Sequence, residues 1–224
     1  MRKRSGSGKS VLLRQLIGLE EPDEGKILIE GHPIQPPDVS TRYRVAMVFE
    51  SGALPTSMIV GENVGLYLAE DHLKSPAEIA EIVSQDLDQV GLKGAESKMP
   101  DELSGGMRKR VAIARALVIE PQLILYDEPT SELDPVSAVN IAAEIVKLNE
   151  RIRVTTLVVS HDRDLAFSIA HRIAMLHEGR IVAIGAPEEI KRNTDPRAQQ
   201  FAKASIVKSL APSYPLESMV SIPV

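Results

Sequence analysis

Residues 104–134, SGGMRKRVAIARALVIEPQLILYDEPTSELD, constrain the fold more than any other stretch of this chain. Ser104, Gly105 and Gly106 form a turn that opens a helix, MRKRVAIARALV. Its Val111, Ala114, Ala116 and Leu117 face inward, and its basic residues cluster at the start. The run LILYD follows as a strand and ends in the acid pair Asp127-Glu128. A strand that is apolar on both faces is buried on both faces, the habit of a parallel sheet covered by helices. SGSGKS at residues 5–10 lies upstream of this block, and LVVSH, ending at His161, lies downstream.

The rest of the chain alternates in the same way. Helical spacing starts at Lys9 and runs to a stop at Gly18. KILIEG (26–31) alternates as a strand ending at Gly31, and VAMVF (45–49) reads as a short buried strand. GENVGLYLAE and SPAEIAEIVSQDLDQVGL read as two amphipathic helices, the second with Ser75 as its cap and Pro76 at its first position. They form a helical lobe inserted in an α/β domain. PVSAVNIAAEIVKLNER predicts a helix, TTLVVS a further buried strand, and DRDLAFSIAHR another helix. RIAMLHEGRIVAIG predicts a hairpin turning at Glu178-Gly179. From Ala211 the chain is proline-rich and aperiodic, and is read as a loose tail.

Composition removes several classes. With 224 residues and 43% hydrophobic content the chain can fill one substantial core, yet no apolar run approaches the length of a membrane span. The start MRKRSGSGKS has no apolar segment of a secretory signal. The absence of cysteine excludes disulfides, thiolate metal sites and cysteine nucleophiles, and fits a reducing compartment. A net charge of −5 with dispersed Lys and Arg, and only seven aromatic residues (four Tyr, three Phe), argue against a nucleic-acid partner.

Gly8, Lys9 and Ser10 match the end of the phosphate loop GxxxxGK[ST], with Ser5, Gly6 and Ser7 as its body and Val11 opening the helix. Backbone N–H groups hold phosphate in such a loop, the Lys reaches the outer phosphate oxygens and the Ser hydroxyl binds magnesium. In isolation SGSGKS also reads as a flexible Ser/Gly terminus. The helix that follows, and the other motifs, favour the loop. The motif's first glycine falls at Lys3, which cannot take positive φ as cheaply as Gly. Only MRKR precedes Ser5, so the strand that should present the loop is expected to be missing.

Asp127 ends a buried strand, where parallel sheets bind ligands, and its carboxylate can hold magnesium. Glu128 beside it can polarise an attacking water. The competing reading is an acidic turn in which Asp caps the next helix. Ser104 can cap the helix behind it, so that this helix N-terminus is an anion site; a plain turn and cap is the alternative. His161 ends the next strand, in a position that is also that of an ordinary loop histidine. His32, His72, His171 and His177 have no such context and are read as surface residues.

This ordered set, with LSGG at residues 103–106, resembles the ATP-binding subunit of an ABC transporter over about residues 5–205. The resemblance implies an α/β P-loop NTPase (RecA-like) with a mostly parallel sheet and an inserted helical subdomain. Residues 1–50 and 104–210 would be the nucleotide-binding core, incomplete at its N-terminus, 51–103 the helical subdomain and 211–224 a flexible tail. It implies ATP and Mg2+ as cofactors, with hydrolysis in a head-to-tail homodimer sharing two sites. Glu128 and His161 would be catalytic, His161 contacting the γ-phosphate. Ser5, Gly6, Ser7, Gly8, Lys9, Ser10, Val11 and Glu50 would hold nucleotide in one subunit. Ser104, Gly105 and Gly106 would complete the site of the partner, and the SELD loop, Ser131 to Asp134, would communicate across the dimer, with Asp134 also counted among the nucleotide-binding residues. Ser10, Asp127 and Glu50 would ligate the metal. Glu50 occupies the place of a family glutamine and adds a negative charge there. No aromatic lies upstream to stack on adenine, so weak ATP binding is expected.

GSGKSVLLR, SGALPTSMIVGENV, LSGGMRKRVAIARAL and PEEIKRNTDPRAQQFAKA look like the ATPases of Mla/MCE-type phospholipid transporters. That likeness implies a transmembrane permease, an MCE-type lipid-binding partner and a peripheral position on the cytoplasmic face of the inner membrane. Amino-acid importer ATPases are close relatives. A hydrolysis-impaired, truncated cassette is a second class, suggested by Lys3, Glu50 and the missing strand. A soluble cassette acting on nucleic acid is a third, disfavoured because no basic face, second cassette or long coiled coil is present.

Overall fold

Helix α1 (Lys9–Leu16) is the first element of the computed structural model, which describes residues 8–34, 42–70 and 73–203. It is followed by β1 (Leu28–Ile29) and β2 (His32–Pro33), then β3 (Val45–Val48). Helices α2 (Val60–Glu70) and α3 (Pro76–Gln89) come next, then a 3-10 turn (Pro100–Glu102) and α4 (Gly105–Leu117). Strand β4 (Leu123–Asp127), helix α5 (Pro135–Ile152) and strand β5 (Thr155–Val159) continue the chain. It proceeds through α6 (Arg163–Ile169), β6 (Ile173–His177), β7 (Arg180–Gly185), α7 (Pro187–Arg192) and α8 (Pro196–Lys203). Contacts divide it into two compact units, Thr41–Val159 and the pair Met1–Ser40 with Ser160–Val224. Residues 1–7 and the expected tail from Ala211 lie outside the described residues, as does His72.

In Thr41–Val159 the strands form a parallel sheet in the order β3-β4-β5, with Val45 opposite Leu123 and Leu123 opposite Thr155. The apolar run LILY explains the central position of β4: Leu123, Ile124, Leu125 and Tyr126 are all buried. Helix α4 covers β3 and also packs on α2, α3 and α5. The buried face of α4 is wider than its sequence suggests, taking in Lys109, Ala112 and Ile113 besides the four residues expected. Strand β5 departs from expectation. Thr155 is exposed, Thr156, Leu157 and Val158 are half-buried, and Val159 alone is buried. It is the edge strand of the described sheet, so one side has no neighbouring strand to cover it.

The helical lobe is locally determined. Ser75 accepts from the Glu78 N–H and Glu78 returns a carboxylate to the Ser75 N–H, a complete capping box with Pro76 at the first helical position. Gly65 of α2 sets the approach of α3. A Cβ there would lie 2.7 Å from Cγ2 of Ile79, so a side chain at 65 would force the two helices apart.

Asp86 on α3 is a buried carboxylate that accepts from Gln89 Nε2 at 2.9 Å. Burial pushes its pKa up to about 6, Glu120 adds to the rise, and Arg151 opposes it. The folded state therefore takes up a proton more readily than the unfolded chain. This contribution to stability is complete below the ordinary aspartate value and is lost as pH rises through about 6. Asp86→Asn is expected to stabilise the protein by about 1–3 kcal/mol at pH 7.5. It should also flatten the stability profile between pH 4 and 6. Urea unfolding across that range checks both, and a variant no more stable at pH 7.5 refutes the assignment.

The other unit has its own core. Ile173, Ala183, Ile190 and Ala198 are buried together, with Ala166, Phe167, Ala170 and Met175 packed on them. β6 and β7 pair as the expected hairpin, and positive φ at both Glu178 (49°) and Gly179 (76°) gives the turn the twist that flanking strands require. KILIEG is shorter than its alternation suggests. Glu30 (φ 52°) and Gly31 (φ 78°) turn the chain back, so Leu28–Ile29 pairs with His32–Pro33. The expected helix at 162–172 is confined to Arg163–Ile169. α7 and α8 were not anticipated from the sequence. Their signals were a proline opening each helix, Glu189 accepting from the Ala186 N–H, and Asp195 accepting from the Arg197 N–H.

Candidate functional site

The carboxyl ends of β3, β4 and β5 are where an open parallel sheet binds ligands. β3 leads to Glu50, β4 ends at Asp127 and leads to Glu128, and β5 leads to His161. Asp127 is half-buried and pairs with Val159 in the sheet register. Glu128 is buried at 9% exposure and has φ +47°, a conformation that a non-glycine residue holds only when its surroundings impose it. The imposing contacts are visible. The Glu128 N–H donates to the Val159 carbonyl at 2.8 Å. Its own carbonyl accepts from Ser131 Oγ at 2.9 Å and from Lys109 Nζ at 3.3 Å. The side chain that follows Asp127 is thus turned out of the strand by a backbone held at both ends.

Lys109 was not singled out by sequence reading as a site residue. It is buried at 5% exposure on α4, and its ammonium donates to the Glu50 carbonyl, the Glu128 carbonyl and Ser131 Oγ. Burial pulls its pKa below the usual lysine value, while Glu50, Glu132, Asp127 and Glu128 oppose that shift. A signal was present in the sequence. Lys109 stands three, four and seven residues before Ala112, Ile113 and Ala116, on the same helical face, and all three are buried.

Ser104 caps α4, its hydroxyl accepting from the Met107 N–H at 3.2 Å. Gly105 follows, and a Cβ there would lie 3.1 Å from Cδ2 of Leu133. Glycine therefore lets the start of α4 lie against the SELD loop. Asp134 ends that loop as the cap of α5, its Oδ1 accepting from the Val136 and Ser137 N–H groups at 3.0 Å each. The Ser137 hydrogen bonds, chiefly, hold its pKa below the ordinary aspartate value. Thr41–Val159 thus joins Glu50, Asp127-Glu128, Ser104-Gly106 and the 131–134 loop in one connected structure. The side chain of Glu50 is exposed and its backbone carbonyl is the part tied to Lys109.

In the other unit Gly8 adopts φ +84° as the residue before α1, and no acidic side chain lies in the first turn of that helix. Lys9, Ser10 and Gly8 are half-buried, Val11 is exposed and so is His161. Ser5, Gly6 and Ser7 fall outside the described residues. The expected surface histidines His32, His171 and His177 are exposed.

A parallel α/β sheet with an acid pair at the end of its central strand, a Gly-Lys-Ser helix start and a capped Ser-Gly-Gly helix defines a P-loop NTPase of the ATP-binding cassette class. Residues 4–131 match the sequence profile of the family described as ABC transporter, and the chain belongs to that family. It is 43% identical over 202 residues to the intermembrane phospholipid transport system ATP-binding protein MlaF of Escherichia coli K12, covering 88% of this chain and 75% of that protein. It is 41% identical over 201 residues to the probable ribonucleotide transport ATP-binding protein mkl of Mycobacterium leprae. That match covers 88% of this chain, which spans 58% of the length of mkl. Among solved structures, the ATP-binding cassette MJ0796, a dimer in a post-hydrolysis state with ADP and Pi, superposes with a TM-score of 0.70. It is 31% identical, and 82% of each chain is covered.

Proposed function

We propose that this chain is the ATP-hydrolysing subunit of a membrane transporter, working as a head-to-tail homodimer that drives phospholipid movement through a transmembrane permease. The observation that carries the reading is Glu128: a buried, conformationally constrained carboxylate directly after the strand-ending Asp127. In this reading Glu128 takes a proton from water, and Asp127, Ser10 and Glu50 offer oxygen donors suited to magnesium. Such hard-oxygen sets, few in carboxylates, fit Mg2+, which keeps waters and nucleotide phosphates as its other ligands. When bound, the ion would neutralise charge developing on the phosphates. Lys9 and the N–H groups from Ser5 to Val11 would hold the phosphates, and His161 would contact the outermost one. Ser104, Gly105 and Gly106 would complete the site of the second subunit, and the loop ending at Asp134 would link the two.

Residues 51–103 carry α2 and α3 and serve in this reading as the helical subdomain of the RecA-like core formed by 1–50 and 104–210. No helix among the described residues is long and apolar enough to cross a membrane. Attachment to the cytoplasmic face through the permease, with an MCE-type lipid-binding partner, is proposed from the likeness to MlaF. Support for phospholipid comes from the likeness to MlaF.

The exposed carboxylate of Glu50 favours a second reading, a cassette whose hydrolysis is impaired by negative charge beside the metal. One experiment serves both. Phosphate release by the purified permease complex is measured with Mg-ATP, with and without phospholipid, for the natural chain and for Glu50→Gln. Lipid-stimulated hydrolysis by the natural chain is the expected result. A rate at background that Glu50→Gln raises at least about tenfold, a barrier change near 1.4 kcal/mol, supports the impaired cassette. No nucleotide binding by either protein overturns both readings.

A further inference from the structure

We infer that Lys109 is a positioning residue for hydrolysis: its ammonium locks the Glu50 backbone, the Glu128 backbone and Ser131 to helix α4, so that the hydrolytic carboxylate and the 131–134 loop move with the capped helix start. The inference rests on the proposed role of Glu128 and adds a residue to it.

Three acceptors converge on Nζ: the carbonyls of Glu50 and Glu128, and the hydroxyl of Ser131 at 3.3 Å. A lysine ammonium has three N–H donors and no acceptor, so the charged form satisfies all three at once, whereas a neutral amine has only two to give. Ser131 completes the geometry, since its hydroxyl donates to the Glu128 carbonyl at 2.9 Å and is left to accept from Lys109. These contacts come from two parts of the chain far apart in sequence, the end of β3 and the turn from Glu128 to Ser131 that follows β4. Lys109 ties both parts to α4 through a single ammonium. Its own element starts four residues earlier at Gly105, which already lies against Leu133 of the same loop. The loop is therefore fastened to α4 at two points, by packing at Gly105 and by charge at Lys109. A buried ammonium needs such hydrogen bonds and neighbouring negative charge to be tolerated. The carboxylates of Glu50, Asp127, Glu128 and Glu132 supply the charge.

The partners of Nζ are two backbone carbonyls and a hydroxyl. Its effect is on where Glu128 points, because φ +47° at that residue has to be imposed by its surroundings.

The test compares Lys109→Met, Lys109→Gln and Lys109→Arg with the natural chain in the permease complex. Lys109→Met is expected to lower kcat for ATP hydrolysis at least about tenfold with KM within about threefold, an effect confined to the transition state. Lys109→Arg, which keeps charge and donors, is expected to restore most of kcat, and Lys109→Gln to fall between. Hydrogen exchange on the same proteins without nucleotide is expected to quicken in segments 50–53 and 128–134 for Lys109→Met, and to stay unchanged in α2 and α3. If the natural chain does not hydrolyse ATP, the proposed function fails, and the exchange pattern alone still decides whether Lys109 holds the two segments. Natural kcat and natural exchange in Lys109→Met overturn the inference. So does an arginine variant as slow as the methionine one. If Lys109→Met does not fold, Lys109→Gln with full kcat is the overturning result.

Discussion

Glu128→Gln is expected to reduce ATP turnover by about 10²–10⁴-fold, the range for losing a general base, while nucleotide binding is retained. The substitution keeps the shape of the side chain and removes only its ability to take a proton. The contacts that set the backbone at 128 do not involve the carboxylate. The N–H donates to Val159, and the carbonyl accepts from Ser131 and Lys109. The positive φ is therefore retained, and the variant should fold as the natural chain does. Phosphate contacts belong in this reading to Lys9 and the loop around it, in a different part of the chain. ATP should then accumulate unhydrolysed and favour the closed dimer. Phosphate release, titration with a fluorescent ATP analogue and light scattering together read the three consequences. Equal hydrolysis rates for the two proteins would remove Glu128 from the catalytic role.

Charged substitutions at Leu54 and Ile59 are expected to separate the chain from the proposed permease without unfolding it. The segment from Gly52 to Ile59 has little regular structure, yet its backbone is held at many points. Arg115 donates to the Gly52 and Ala53 carbonyls at 2.8 and 2.7 Å. Buried Asn63 donates through Nδ2 to the carbonyls of Pro55, Met58 and Ile59. Such anchoring fixes the course of the loop while Leu54, Met58 and Ile59 remain half-buried and Ala53 exposed. Apolar side chains held partly open on a rigid loop are suited to receive an apolar partner. Val60, the next residue, is buried at the start of α2 and belongs to the packing of that helix. Leu54→Asp with Ile59→Asp should weaken permease association by at least tenfold, about 1.4 kcal/mol, since a charge would have to be buried in the contact. Co-purification and thermal unfolding are measured together. Undiminished co-purification refutes the docking role of this loop, and a large fall in melting temperature assigns the two residues to the fold.

Charge placement on this chain also shows why one residue type reads so differently in two settings. Asp134 and Glu128 are both acidic residues near the same loop. Asp134 is exposed and its pKa is lowered by hydrogen bonds from the start of α5, so that its local duty is to cap that helix. Glu128 is buried, and its backbone N–H and carbonyl are tied to Val159, Ser131 and Lys109. Spacing in the sequence placed both in the loop region and could not separate these environments.

Local chemistry was enough to specify much of this protein. The capping box at Ser75 and Glu78, the two-residue turn at Glu178-Gly179, the period of α4 and the uninterrupted apolar run of β4 each depend on residues within a few positions of one another. Such features are fixed by backbone sterics and side-chain spacing, and they were legible directly. The Gly-Lys-Ser start of α1, the acid pair after β4 and the Ser-Gly-Gly turn into α4 were legible for the same reason. Tertiary structure decided what depends on distant segments meeting. Among the described residues it made β5 the edge of the parallel sheet and left its face half-covered, since burial of a strand depends on the elements that pack around it. It placed Glu128 at positive φ, because that strain is maintained by Val159, Ser131 and Lys109 acting together. It also turned Lys109 from one cation in a basic run into the buried junction of α4 with the end of β3 and the turn after β4, since its acceptors lie 19, 22 and 59 positions away in sequence.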